Sequence, residues 1–280
     1  MLETEYKNFN HLKIHTQYSI CEGAVKIDEL KEFSKEKKIK SIAICDTLNL
    51  CGALEFSEKI SKIGTQPIIG SQINFKVGDT CGLLPVFALN EKGYKRIIQL
   101  SSKLYLDHND ENQPHLDFSE LLKLNDGISL FSGTINGLFG NLFNKGKFSE
   151  IEKLYKNLKE NYNDRFYIEV QRHGDQNELG FEKFNLNQSN NLEIPLIATN
   201  EVYYIDKNMH EAHDALICIG QKSYVNEKNR AKFSPEHYLK NDYEMSELFS
   251  DIPEALENNF NFPLRCSFRP LFSKPILPNI

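Results

Sequence analysis

The first residues able to do chemistry are His11, Lys13 and His15, in the stretch His11-Leu12-Lys13-Ile14-His15-Thr16-Gln17-Tyr18-Ser19. Alternate side chains of a strand share a face, so these three look one way and Leu12 and Ile14 the other. Two imidazoles at that spacing can begin a metal site. The lysine between them opposes it, because an ammonium repels a cation. Further side chains of interest stand where short apolar runs end: Glu22, Asp46 with Thr47, Gln72, Leu83, Thr134, His173, Glu201 and Tyr203. Imidazoles and carboxylates gathered from several strand ends form the donor set of a hydrolytic metal centre. Only part of this group has that chemistry.

Several of these residues also have plain structural readings. His11 and His15 are either a metal pair or hydrogen-bonded residues at the mouth of a barrel. His173, in Arg172-His173-Gly174, is a residual catalytic base or a turn histidine. His210 and His213 lie on a helix, with His213 on its packed face, and read as structural. Asp46 with Asn49 reads as the cap of the following helix.

The elements that must position these groups alternate along the chain. Strands are expected at about 8–14, 41–45, 67–75, 83–89, 128–131, 166–171 and 195–199. Between them lie helical patterns: Ile27, Leu30 and Phe33; residues 51–63; Tyr94, Ile97 and Ile98 after an Asn90 cap; and Ile151, Leu154, Tyr155 and Leu158. Asp206 caps a further helix carrying Met209, Ala212, His213, Leu216 and Ile217. Residues 104–117, with His108, Pro114 and His115, read as an exposed connection. Short apolar strands alternating with helices imply a parallel sheet of βα units, and about seven of them suit a closed, distorted barrel. Working residues of such a barrel sit where strands end. The expected division is one domain over 1–265, then a proline-bearing linker over 266–280 that contains Pro270, Pro275 and Pro278.

Composition narrows the function classes. The 280 residues are 40% hydrophobic with 19 Phe and 12 Tyr, enough for a substantial core. No apolar run approaches the roughly 20 residues of a membrane span. The acidic, polar start, Met1-Leu2-Glu3-Thr4-Glu5-Tyr6, does not read as a signal peptide. Cys21, Cys45, Cys51, Cys81, Cys218 and Cys266 are scattered without a C-x-x-C pair, which points to reduced thiols and a cytoplasmic setting. The formal net charge of -6 argues against direct nucleic-acid binding.

Taken in series, seven stretches resemble the PHP (polymerase and histidinol phosphatase) family, in the branch at the N-terminus of bacterial replicative polymerase alpha subunits. They are HLKIHTQYSICEG from His11, IAICDTLNLCGALEF from Ile42, PIIGSQINF from Pro67 and ALNEKGYKRIIQL from Ala88. Later come FYIEVQRHG from Phe166, PLIATNEVYYIDKNMHEAHDALICI from Pro195 and YLKNDYEMSELFSDIPEALEN from Tyr238. The resemblance implies a seven-stranded distorted (β/α) barrel of PHP type. In active members, metal ions at the strand C-termini hydrolyse phosphoesters.

Position by position, the implied metal site is degenerate. Lys13 stands for the first histidine of the opening strand, and His15 keeps the second. Glu22 takes the place of the loop carboxylate, usually aspartate. Thr47 stands for the histidine after Asp46, Gln72 for a glutamate, Leu83 for a histidine and Thr134 for a cysteine. Glu201 replaces an aspartate, and Tyr203 a histidine. Lys13 is expected to pair with Glu22 or Glu201. The favoured reading is therefore a domain without catalytic residues, metal or cofactor. It would support polymerase domains in cis and offer a surface to the proofreading exonuclease (epsilon) subunit. The alternative is an active phosphoesterase or 3′-5′ exonuclease that uses Zn²⁺ or Mn²⁺ with an altered ligand set. A free-standing phosphatase of the histidinol phosphatase type fits less well, because ALNEKGY and the final PEALEN run match the polymerase branch.

Overall fold

A computed structural model describes residues 9–107 and 114–274. Nine strands and ten α-helices follow one another over these residues. They begin with β1 (Lys13–Ile14), α1 (Ile27–Glu36), β2 (Ser41–Thr47), α2 (Ala53–Ser61), β3 (Gln66–Val77), β4 (Thr80–Ala88) and α3 (Glu91–Leu106). The middle of the chain gives β5 (Leu116–Asp117), α4 (Phe118–Lys123), β6 (Ile128–Phe131), α5 (Leu138–Asn144), α6 (Phe148–Tyr162) and β7 (Phe166–Val170). Then come α7 (Glu178–Leu192), β8 (Leu196–Ala198), β9 (Glu201–Val202), α8 (His210–Gln221), α9 (Asp242–Leu248) and α10 (Pro253–Asn261).

The strands go round a barrel. The main path runs β2-β3-β4-β6-β7-β8. β1 pairs in parallel with β9, placing Lys13 opposite Glu201, and Ala43 N donates to His11 O at 2.9 Å on its other side. β8 and β9 are one strand interrupted at Thr199–Asn200, so seven strands make the circuit among the described residues. The distortion is β4, which runs antiparallel to both β3 and β6. β2 shows why the strands form: Ser41-Ile42-Ala43-Ile44-Cys45 is buried on both faces, as a strand inside helical layers must be. Leu12, Ala43, Ile68, Phe87, Phe131 and Ile197 fill the interior, with Phe262 among them. Ile14, Ile42, Ile44 and Ile69 face outward onto α1 and α2, whose Leu30, Phe56 and Ile60 cover them.

Asn90 caps α3 as expected, its side chain accepting from Gly93 N at 3.0 Å. Asp206 accepts from Asn208 N at the start of the turn that leads into α8. Three sequence expectations need correction. Only Lys13–Ile14 of the first run forms a ladder. The connection at 104–117 is not wholly exposed: α3 continues to Leu106, His115 and Leu116 are buried, and β5 adds to β3. (His108 lies outside the described residues.) Asp46 does not cap α2, because its buried carboxylate is turned to the loop after β1. The stretch after Cys266 lies against the barrel as far as Pro270: Gln66 Nε2 donates to Cys266 O at 2.7 Å and Ser57 Oγ to Pro270 O at 2.6 Å. Pro275 and Pro278 fall outside the described residues. No helix among those described is long and apolar enough to cross a membrane.

Candidate functional site

Parallel strands deliver their C-terminal residues to one mouth, and the sequence-selected residues meet there. The loop after β1 folds back over it. Gly23 permits this, since a Cβ at that position would stand 2.2 Å from Thr16 O. Asp46, at the end of β2, ties the loop down. Its Oδ1 accepts from Thr16 N and Ser19 Oγ, both at 2.7 Å, and its Oδ2 accepts from Thr16 Oγ1 at 2.8 Å. Glu22 is thereby held at the rim, where Thr47 Oγ1 donates to its Oε2 at 2.5 Å.

At the centre lies Lys13, whose side chain has 0% exposure. Its Nζ stands 3.3 Å from Glu169 Oε1 and 3.3 Å from Glu201 Oε1. Neither approach is well aligned as a hydrogen bond, so charge rather than directed bonding joins the three groups. The expected pairing with Glu201 is present. The one with Glu22 is not, and Glu169 takes that place. Burial works against a charged lysine. The two carboxylates outweigh it and hold the Lys13 pKa above its ordinary value. Burial likewise works against ionised Glu201, but Lys13 and His15 draw its pKa well below the carboxylate range.

His15 joins the group through Nε2, 3.1 Å from Glu201 Oε1, and Nδ1, 3.2 Å from Thr47 Oγ1. Its ring stacks on Tyr203 at a centroid distance of 4.5 Å. Burial opposes its protonation, but Glu201, then Glu22, holds its pKa above the usual histidine value. Gln72 Nε2 donates to Glu201 Oε1 at 2.5 Å. Burial, then the Glu201 charge, keeps Tyr203 a neutral phenol. His11 takes no part: its Nε2 is 2.8 Å from Lys240 O.

Above this group opens a cavity of about 480 Å³, lined in part by Glu22, Gln72, Leu83, Thr134, Glu201 and Tyr203. His173 does not line it; it stacks on His237 at 4.1 Å, with Nε2 3.0 Å from Asn200 Oδ1. His213 Nε2 holds Glu22 O at 2.8 Å, a structural role. Sequence reasoning missed Glu169, Asp175, Phe233 and His237. Glu169 carried a signal, since it is the one charge inside the apolar strand Phe166–Val170. His237 and Phe233 come from an aperiodic stretch that gave none.

The fold and site define a distorted (β/α) barrel whose strand ends converge on a mouth of carboxylate, imidazole and ammonium. The PHP domain family model matches residues 11–173, more than half of the chain, and the chain belongs to that family. It is 35% identical over 288 residues to DNA polymerase III subunit alpha of Caulobacter vibrioides, covering 100% of this chain and 25% of that protein. It is 32% identical over 275 residues to the same-named protein of Vibrio cholerae, covering 97% of this chain and 24% of that one. The chain thus spans about a quarter of the length of these relatives. An amidohydrolase from Chromobacterium violaceum superposes with a TM-score of 0.44 at 12% identity, over 69% of this chain and 87% of that one. A likeness that distant does not bear on function.

The metal ions that the family implies can be tested against the donors present. Lys13 sets a fixed ammonium against both interior carboxylates. Leu83 presents hydrocarbon to the cavity, and Thr47, Gln72 and Thr134 are neutral. Among the described residues, no group of three or more His, Cys, Asp or Glu is placed to hold a metal ion. As ligands for two or three divalent cations, these side chains do not fit.

Proposed function

We propose that this chain is the N-terminal PHP portion of a replicative DNA polymerase alpha subunit, working in the cytoplasm with a degenerate metal site. Its role is structural. It supports the polymerase domains that follow in cis and offers a docking surface to the proofreading exonuclease subunit. The observation that carries this reading is Lys13, an ammonium between Glu169 and Glu201 at 3.3 Å from each. A lysine there supplies the positive charge that a metal supplies in an active member, without a site for a water nucleophile. Proofreading supplied in trans suits a silent site of this kind, since the described residues hold no group of three or more His, Cys, Asp or Glu placed for a metal ion. The negative net charge of -6 suits a protein-binding module better than a DNA clamp.

Elemental analysis of the chain purified without chelator tests the reading, beside a phosphatase assay with added Mn²⁺ or Zn²⁺. Metal far below one equivalent and no turnover are expected. Stoichiometric metal with chelator-sensitive hydrolysis would establish the active phosphoesterase instead, with His15, Glu22, Glu201 and His173 the residues to mutate.

A further inference from the structure

The mouth cavity has two unlike walls. One is aromatic. Tyr203 and Phe233 lie 4.7 Å apart between centroids, and His237 lies 5.2 Å from the first and 5.4 Å from the second, at 84° to it. The other carries the carboxylates of Glu22 and Asp175, and Lys232 is the one basic side chain on the lining besides His237. Neither of these carboxylates has an ion-pair partner among the described residues. Glu22 is bonded to Thr47 and Asp175 to Asn136 Nδ2 at 3.2 Å, both uncharged. Glu201 is already neutralised from below by Lys13. His237 adds an acceptor. Its Nδ1 donates to Glu201 O at 3.0 Å, and its buried Nε2 has no partner. Burial, then the neighbouring His173, keeps that ring neutral, so Nε2 offers a lone pair.

Two carboxylates without ion-pair partners against one lysine, an unpartnered imidazole nitrogen and a set of ring faces suit a cation rich in N–H donors. Guanidinium fits better than ammonium, since it stacks on rings and bonds carboxylates in pairs with its five donors. A second trough of about 420 Å³ adjoins the cavity at Leu83 and Asn136. Asn74 and Asn141 line it; their Nδ2 groups donate to Pro114 O at 3.0 Å and Cys81 O at 2.9 Å, and their carboxamide oxygens suit the N–H groups of an extended peptide. We infer that the mouth cavity is a receptor for an arginine side chain, presented by an extended segment of a partner protein. This deepens the docking role above and rests on the metal-free reading.

The test is an NMR titration of the isotope-labelled 280-residue chain with N-acetyl-arginine amide. The isosteric and uncharged N-acetyl-citrulline amide serves as control. Saturable shifts confined to the cavity residues are expected with arginine and not with citrulline. Asp175→Asn and Phe233→Ala should each weaken binding at least about five-fold, with melting temperature as the check on folding. Equal response to citrulline, shifts that do not saturate, or affinity unchanged in both folded variants would overturn the assignment. A parallel MnCl₂ titration separates the two readings. Stoichiometric paramagnetic broadening at the cavity overturns both the receptor and the metal-free site. No manganese effect and no arginine effect overturns the receptor alone.

Discussion

Replacing Lys13 with methionine keeps most of the side-chain volume and removes the charge. The change leaves Glu169 and Glu201 facing one another across the space the ammonium filled, with side-chain exposures of 0% and 9%. Removing one partner of a buried ionic group costs about 3–5 kcal/mol, because the other charges remain desolvated. Against a total stability of about 5–15 kcal/mol, that is a large fraction. For a domain of this size it corresponds to a fall in melting temperature of roughly 10 °C. The pH dependence carries the diagnosis. In the native chain the Glu201 pKa is depressed, so its contribution is present above the ordinary carboxylate value of 4.5 and is lost as pH falls through the folded pKa. In Lys13→Met the two carboxyls repel each other, and the Glu201 pKa rises once the ammonium that depressed it is gone. Stability is then lowest at neutral pH and recovers as pH falls toward the ordinary value, since one proton shared between them relieves the repulsion. Urea unfolding followed by circular dichroism at pH 8, 7, 6 and 5 measures the variant's recovery, across a range in which the native Glu201 contribution is constant. Adding Glu169→Gln and Glu201→Gln to the methionine variant should recover most of the loss at pH 7. A single-variant loss below about 1 kcal/mol, or one independent of pH, would refute an ionic bond at the barrel's centre.

Other perturbations reach neighbouring parts of the same construction. His11 is buried, and burial lowers its pKa from 6.5 to about 4. The unfolded chain therefore binds a proton that the folded chain refuses, and stability drops as pH falls from 6.5 to 4, by about 3 kcal/mol in all; His11→Gln should flatten that part of the urea-unfolding profile. Asp46→Ala strips the acceptor from Thr16 N, Thr16 Oγ1 and Ser19 Oγ. A loss of about 2–3 kcal/mol is expected, with faster amide exchange at Thr16 and Gly23 as the local readout. Asn90→Ala removes a helix cap and should cost about 1 kcal/mol in urea unfolding.

How much of this was legible in the chain depends on the range of the interaction. The barrel followed from repeated local patterns. Apolar runs such as Ser41–Cys45, each followed by a helical period, give the strands, and the rule that strand ends hold the working groups gives the mouth. On that rule His15, Glu22, Gln72 and Glu201 were singled out, Lys13 by its alternation with His11 and His15, and they meet at the mouth. What the patterns could not show is which of them touch. Lys13 lies opposite Glu201 only because β9 closes the ring beside β1, and it reaches Glu169 only across the interior. Glu169 was passed over because it stands inside a strand rather than at its end. Asp46 was misread for the opposite reason. An aspartate before a helix is a strong local capping signal, but the loop released by Gly23 brings three donors to it, and those outbid a single N–H of the helix. Phe233 and His237 come from residues 222–241, where no period exists to read. The segment with the least sequence signal thus furnishes part of the cavity's recognition wall. The reason is physical: a stretch that builds no element of its own is free to follow the shape of the mouth it covers.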